Sequence, residues 1–132
     1  MFQWKSYDEG IHNYPFLFKV QDNQLTMVYS NHEGDWLWVW NGPITSNTWF
    51  DVKVRVKLSS REESGTLQLS INGEPQKFIR NRDGQPEVSD ILVCRTLDSG
   101  RGNYPKWGAY NREKPLHAMR HYVDLMRIKR IS

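Results

Sequence analysis

The chain has 132 residues, 38% apolar and 25% charged, which is the make-up of one ordinary globular domain burying roughly two thirds of its unfolded surface. It holds no run of the ~18 apolar residues a membrane helix needs, and Met1-Phe2-Gln3-Trp4-Lys5 lacks the basic start and apolar stretch of an export leader, so neither a membrane partner nor an intact leader is expected. A formal charge of +3 is too mild and too evenly spread to require nucleic acid, yet it favours an anionic partner; a single cysteine, Cys94, excludes an internal disulfide and leaves the redox compartment open.

Taken in chain order, strands are predicted over residues 2–5, 16–21, 25–30 and 35–40, separated by Gly, Asn and Asp. In the first, Gln3 and Lys5 point opposite to Phe2 and Trp4; the polar pair either faces a cleft that binds an anion or belongs to a frayed terminal strand. Residues 35–40 carry the stripe Trp36, Trp38 and Trp40 against Leu37 and Val39. Both faces are therefore apolar, which reads as burial on both sides, with a sugar-stacking platform as the alternative.

Residues 49–58 show the clearest alternation: Phe50, Val52, Val54, Val56 and Leu58 against Asp51, Lys53, Arg55 and Lys57. The charged strip is either a solvated face or, if it lies on the binding sheet, a cradle for an acidic polymer through Lys53 and Arg55. Residues 66–71 repeat the period, and Asn72-Gly73 turns the chain toward 76–79, a hairpin. Polar stretches 80–87 and 97–103 are expected to be mobile loops, with strands at 91–96 and 104–111. Frequent turn signals between short strands predict a sandwich or barrel. The last segment is ambiguous: Leu116, Met119, Val123 and Met126 fit a helix over 117–127, whereas Tyr122 to Ile128 also alternates as a strand.

On a strand, Tyr104, Lys106, Gly108 and Tyr110 share one face, so two phenols and an ammonium flank a glycine gap where a ligand can approach the backbone; ordinary packing is the alternative. Six Trp, six Tyr and five Phe are more aromatic surface than a core of this size hides, and exposed rings suit sugars, bases or a protein interface. His117 and His121 have the i,i+4 spacing of metal ligands but no third partner nearby in sequence, and His12 and His32 sit in polar loops. No metal site is assigned.

The ordered set Gln3-Trp4-Lys5, Pro15-Phe16-Leu17, Trp49-Phe50-Asp51-Val52, Ile71-Asn72-Gly73, Lys106-Trp107-Gly108-Ala109-Tyr110 and Tyr122-Val123-Asp124 resembles the jelly-roll polysaccharide lyases related to heparin lyase I and glucuronan lyase. The resemblance covers nearly all of this chain and the C-terminal two thirds of a family member. It implies an all-β, concanavalin-like jelly-roll β-sandwich in which Tyr122-Val123-Asp124 is the closing strand, and a secreted or periplasmic setting. It further implies an acidic, uronate-containing polysaccharide as partner, Tyr110 as proton-transfer residue, and Lys106, Gln3 and Lys5 as the groups handling carboxylate charge; the strand faces read above add Tyr104, Lys53, Arg55 and Trp38 as candidate substrate contacts. Lys106 and Tyr110 lie roughly 13 Å apart along a strand, so they serve adjacent sugars.

Lysine at position 5, where the family often has histidine, leaves the identity of the base open. No cofactor is expected; Asp124 either holds a structural calcium or pairs with an arginine. Missing upstream strands imply self-association as a homodimer or a partner that completes the sandwich. The rival functions are a non-catalytic, lectin-like glycan-binding module on the same sandwich and a sandwich that binds another protein.

Overall fold

The computed structural model describes residues 1–7, 14–98, 101–108 and 122–131. Among them are eleven strands and no helix: β1 (Phe2–Ser6), β2 (Phe16–Gln21), β3 (Gln24–Ser30), β4 (Trp36–Pro43), β5 (Val52–Lys57), β6 (Thr66–Ile71), β7 (Glu74–Pro75), β8 (Phe78–Arg82), β9 (Gln85–Ser89), β10 (Leu92–Val93) and β11 (Asn103–Trp107). The fold is an all-β sandwich of antiparallel sheets, as the strand pattern and turn spacing predict, and is consistent with the jelly roll that the resemblance implies. One sheet has the order β11-β1-β2-β3-β4, the other β10-β6-β5 with β7 added to β6, and β8 and β9 pair as a separate ribbon.

Tight turns set the register of three hairpins. Asp22 and Asn23 hold φ of 50° and 57° between the paired Gln21 and Gln24, while Asn72-Gly73 (51° and 85°) and Asp83-Gly84 (51° and 78°) repeat that geometry. Positive φ at both central residues matches the twist of the flanking strands, which is why Asn, Asp and Gly occupy these positions. The core fills the space between the sheets: Phe16, Phe18, Met27, Tyr29 and Val39 from the first face Leu67, Leu69, Leu92 and Cys94 from the second, with Phe78 entering from β8. Phe2, Trp4, Val54 and Val56 pack around it. Each fully buried large side chain contributes on the order of 2 kcal/mol, so this cluster dominates the stabilisation.

Polar groups at the core margin are tied between layers. The Trp4 indole N–H donates to the Thr96 carbonyl at 3.0 Å, and that of Trp40 donates to Gln76 Oε1 at 3.2 Å. The Tyr29 hydroxyl donates to the Glu62 carboxylate, which also accepts from the His32 backbone N–H at 2.5 Å. Burial and then this hydrogen bond to Glu62 raise the Tyr29 pKa above the ordinary phenol range. Arg95 and Asp98 form a buried ion pair, and Arg95 also donates to Ser30 Oγ at 3.4 Å. Burial lowers the guanidinium from its usual range.

Several expectations are corrected. Residues 80–87 are not a mobile loop: they lie in the β8–β9 hairpin, turned by Asp83-Gly84. Asp98, in the other expected loop, is pinned by Arg95, and the Leu97 N–H donates to the Ser59 carbonyl at 3.0 Å. The clearest predicted strand begins only at Val52, because Trp49 is 66% exposed and Phe50 lies outside the pairing with β6. The strand returning from Asn72-Gly73 lasts two residues before Gln76 departs from it. Residues 91–96 form only a two-residue strand.

Residues 122–131 are neither helix nor closing strand. The Asp124 carboxylate accepts the Leu125 N–H at 2.7 Å, and Leu125 holds φ of 50°, so the chain turns where an extended strand would run. Residues 117–121, the start of the alternative helix, lie outside the described residues.

Candidate functional site

The face of the five-stranded sheet turned away from the core is assembled by register. Because Phe2 and Trp4 pack inward, Gln3 and Lys5 project outward, and their partners across the strand pair are Lys106 and Tyr104. Gln3 in turn opposes Leu17, Leu17 opposes Val28, and Val28 opposes Trp38. A straight row, Lys106-Gln3-Leu17-Val28-Trp38, therefore crosses all five strands at right angles to them. Directly opposed side chains sit about 5 Å apart, and Lys106 and Lys5 are diagonal neighbours across one pair at about 7 Å.

Two further rows run beside this line. On one side Tyr7 packs on Tyr104 with ring centroids 4.7 Å apart, the Lys5 ammonium lies 6.0 Å from the Tyr14 ring, and Tyr14 packs on Trp36 at 5.1 Å. On the other side stand Gly108, Met1, Lys19, Thr26 and Asn41; Gly108 donates its N–H to the Met1 carbonyl at 3.1 Å. Between them Leu17 and Val28 are buried although they belong to the face opposite the core. Leu17 and Val28 thus form a low apolar floor between the aromatic row and the Lys19 side chain, a shallow trough.

Its charge is one-sided. The outward residues of these strands include Lys5, Lys19 and Lys106 and no Asp or Glu. Such a surface attracts anions, and ring faces beside it offer apolar contact to the C–H face of a sugar.

Trp38 is 61% exposed on this face, which overturns the expectation of burial on both sides. Plain alternation with the inward Leu37 and Val39 turns it outward; a β-bulge then breaks the stripe, since Met27 opposes Trp40 and Val28 opposes Trp38, so Val39 is an extra residue in the core and Trp40 turns inward. Lys19 sets its ammonium 4.9 Å from the Trp38 ring centroid and donates to Gln21 Oε1 at 2.9 Å. To reach Trp38 from β2 it must cross β3.

Among the sequence-predicted residues, Gln3, Lys5, Tyr104, Lys106 and Trp38 share this face. Lys53 and Arg55 do not: they lie on β5 in the other sheet, and since Val54 and Val56 pack inward they project from the opposite side of the sandwich. Tyr110, His12, His117 and His121 lie outside the described residues, and His32 is exposed in the loop between β3 and β4. Lys19, Tyr14 and Leu17 were missed, yet parity alone locates Leu17 and Lys19, since Phe16 and Phe18 are the apolar, inward residues of β2. Among the described residues no group of three or more His, Cys, Asp or Glu is arranged to hold a metal ion.

Fold and face together define an antiparallel β-sandwich with a cationic, aromatic-walled trough across one sheet. A family model described as polysaccharide lyase matches residues 1–127, and the chain belongs to that family. No curated protein and no solved structure matches it.

Proposed function

We propose that the protein binds an acidic, uronate-containing polysaccharide along the trough and cleaves it by β-elimination. The observation that carries this reading is the outward face whose strand residues, among those described, include three lysines and no Asp or Glu, beside the rings of Tyr104, Tyr14 and Trp36. Family membership supports it.

The chemistry asks for what this face offers. Removing the proton at C5 of a uronate is difficult while the adjacent carboxylate is negative; a cation or an amide donor at that carboxylate stabilises the charge that develops. Gln3, opposite Lys106 and flanked diagonally by Lys5 and Tyr104, is suited to that task. Tyr110, as phenolate, takes the C5 proton, the C–H electron pair forms the C4=C5 double bond, the C4–O bond breaks, and the Tyr110 hydroxyl returns that proton to the departing oxygen. The products are an unsaturated uronate end and a new reducing end. Tyrosine has an ordinary pKa of about 10, so this role asks for a cation that favours the phenolate. The candidate substrates are glucuronan, heparin-like and alginate-like chains.

The test is ultraviolet absorbance of the unsaturated product during incubation with a panel of acidic polysaccharides, run beside Tyr110→Phe. A rise that the variant abolishes is expected. A flat trace with binding retained in titration would instead make the protein a non-catalytic glycan-binding module.

A further inference from the structure

The row that crosses the sheet has a length, and the length specifies a ligand. From β11 to β4 there are four inter-strand steps of about 4.8 Å, so Lys106 and Trp38 are about 19 Å apart. A 1,4-linked pyranose advances roughly 5 Å between glycosidic oxygens by ordinary bond lengths. A polysaccharide lying along the row therefore places sugars about four residues apart over the Lys106 and Trp38 ends, and it runs perpendicular to the strands.

We propose that Trp38 and Lys19 form a distal subsite for a uronate residue, so that productive binding requires an acidic oligosaccharide of about five sugars or more. The inference rests on the reading of the trough as a polysaccharide site. Trp38 is 61% exposed on an edge strand of the sheet, turned outward by alternation with the inward Leu37 and Val39. The Lys19 ammonium above its ring, held by the Gln21 amide oxygen, supplies a positive charge next to a flat apolar surface. A uronate pyranose presents the matching pair, a C–H face for the indole and a carboxylate for the ammonium. A neutral sugar satisfies only the indole, and a protein segment has no need of the 19 Å span.

The intervening floor fits a polymer in transit. Leu17 and Val28 are short, apolar and buried, offering no group that would fix a sugar's hydroxyls. Specific contacts are thus concentrated at the two ends. This arrangement rewards length: each end alone holds a short oligomer weakly, and a chain that reaches both gains the second contact at high effective concentration.

Calorimetric titration of the full chain with size-defined uronate oligomers tests this. In the unmodified protein, hexamer affinity is expected to exceed trimer affinity by at least about tenfold. Trp38→Thr, which keeps a strand-forming residue, and Trp38→Ala should each collapse that ratio toward one while thermal unfolding confirms a folded chain. Lys19→Met keeps the methylene stem and should weaken hexamer binding about threefold at low salt, a difference that disappears at high salt. An unchanged hexamer-to-trimer ratio in both Trp38 variants would overturn the distal subsite and leave the polysaccharide reading standing. Equal binding of neutral hexamers would overturn the role of Lys19, and failure of every uronate oligomer to bind the unmodified protein would overturn both readings.

Discussion

Replacing Gly65 with alanine tests how tightly the start of β6 and the segment after β10 are held together in the second sheet. A Cβ at position 65 would lie 2.2 Å from the Cys94 carbonyl oxygen and 3.0 Å from Thr96 Oγ1. The first separation is about 1 Å inside van der Waals contact, and the obstacle is backbone, so no side-chain rotation relieves it. Residues 94–96 must move. That movement strains the bond from the Cys94 N–H to the Gly65 carbonyl (3.0 Å) and the Thr96 hydroxyl's link to the Lys57 carbonyl (2.8 Å). It also disturbs the Thr96 carbonyl that accepts the Trp4 indole.

At about 1 kcal/mol for each of the two strained hydrogen bonds and about 1–3 kcal/mol for overpacking, the loss is about 3–5 kcal/mol. For a chain of this size that lowers Tm by about 10–20 °C. Gly73→Ala is the internal comparison: nothing lies within 4 Å of its Cβ, and only its φ of 85° penalises a side chain, by about 1 kcal/mol. Urea unfolding followed by tryptophan emission measures both variants. If Gly65→Ala costs no more than Gly73→Ala, the close approach of the two backbones is not a constraint and the reasoning fails.

Asp98→Ala leaves the Arg95 guanidinium buried without its carboxylate and is expected to cost about 3–5 kcal/mol in urea unfolding, whereas replacing both partners with apolar residues of similar volume should recover most of it. Burial pushes the Cys94 thiol up from 9.0 to about 12, so the folded state favours the protonated form. Its contribution is complete below about pH 9 and is lost as pH rises toward 12; Cys94→Ala should flatten part of that decline in Tm. Lys106→Ala and Gln3→Ala should each weaken acidic-oligosaccharide binding in titration, with the Lys106 effect shrinking as salt screens the charge and the Gln3 effect persisting.

Where one side of a strand is buried and the other is wet, the sequence is readable to the residue. Phe16 and Phe18 on β2, and Leu67 and Leu69 on β6, announce their strands and their inward faces. On β5 the alternation identified Val54 and Val56 correctly, but parity cannot say which sheet a strand joins, and Lys53 and Arg55 came out on the far side. Pairing is a long-range property. The Trp stripe failed for a different reason: a bulge changes parity in mid-strand, and all of its neighbours are apolar, so nothing in the spacing marks the extra residue.

Asp83-Gly84 was overlooked because Arg80, Arg82, Gln85 and Glu87 make its flanks polar on both faces. That hairpin is held by its ladder and anchored by buried Phe78 rather than by an apolar stripe. As for the trough, Gln3 and Lys106 come from opposite ends of the chain; their shared face followed from resemblance to a family, and Lys19 lay within reach of simple parity counting.

The bulge at Val39 has a second effect, on solubility. The stretch Trp36-Leu37-Trp38-Val39-Trp40 is uncharged and strongly β-forming, and β4 closes its sheet among the described residues, the combination that invites another chain to add on edge to edge. An extra residue in the middle bends such an edge and breaks the even spacing of its outward N–H and C=O groups, so an incoming strand finds no continuous template. The same irregularity that turns Trp40 into the core thus guards against fibril-like stacking, and deleting Val39 would restore the template.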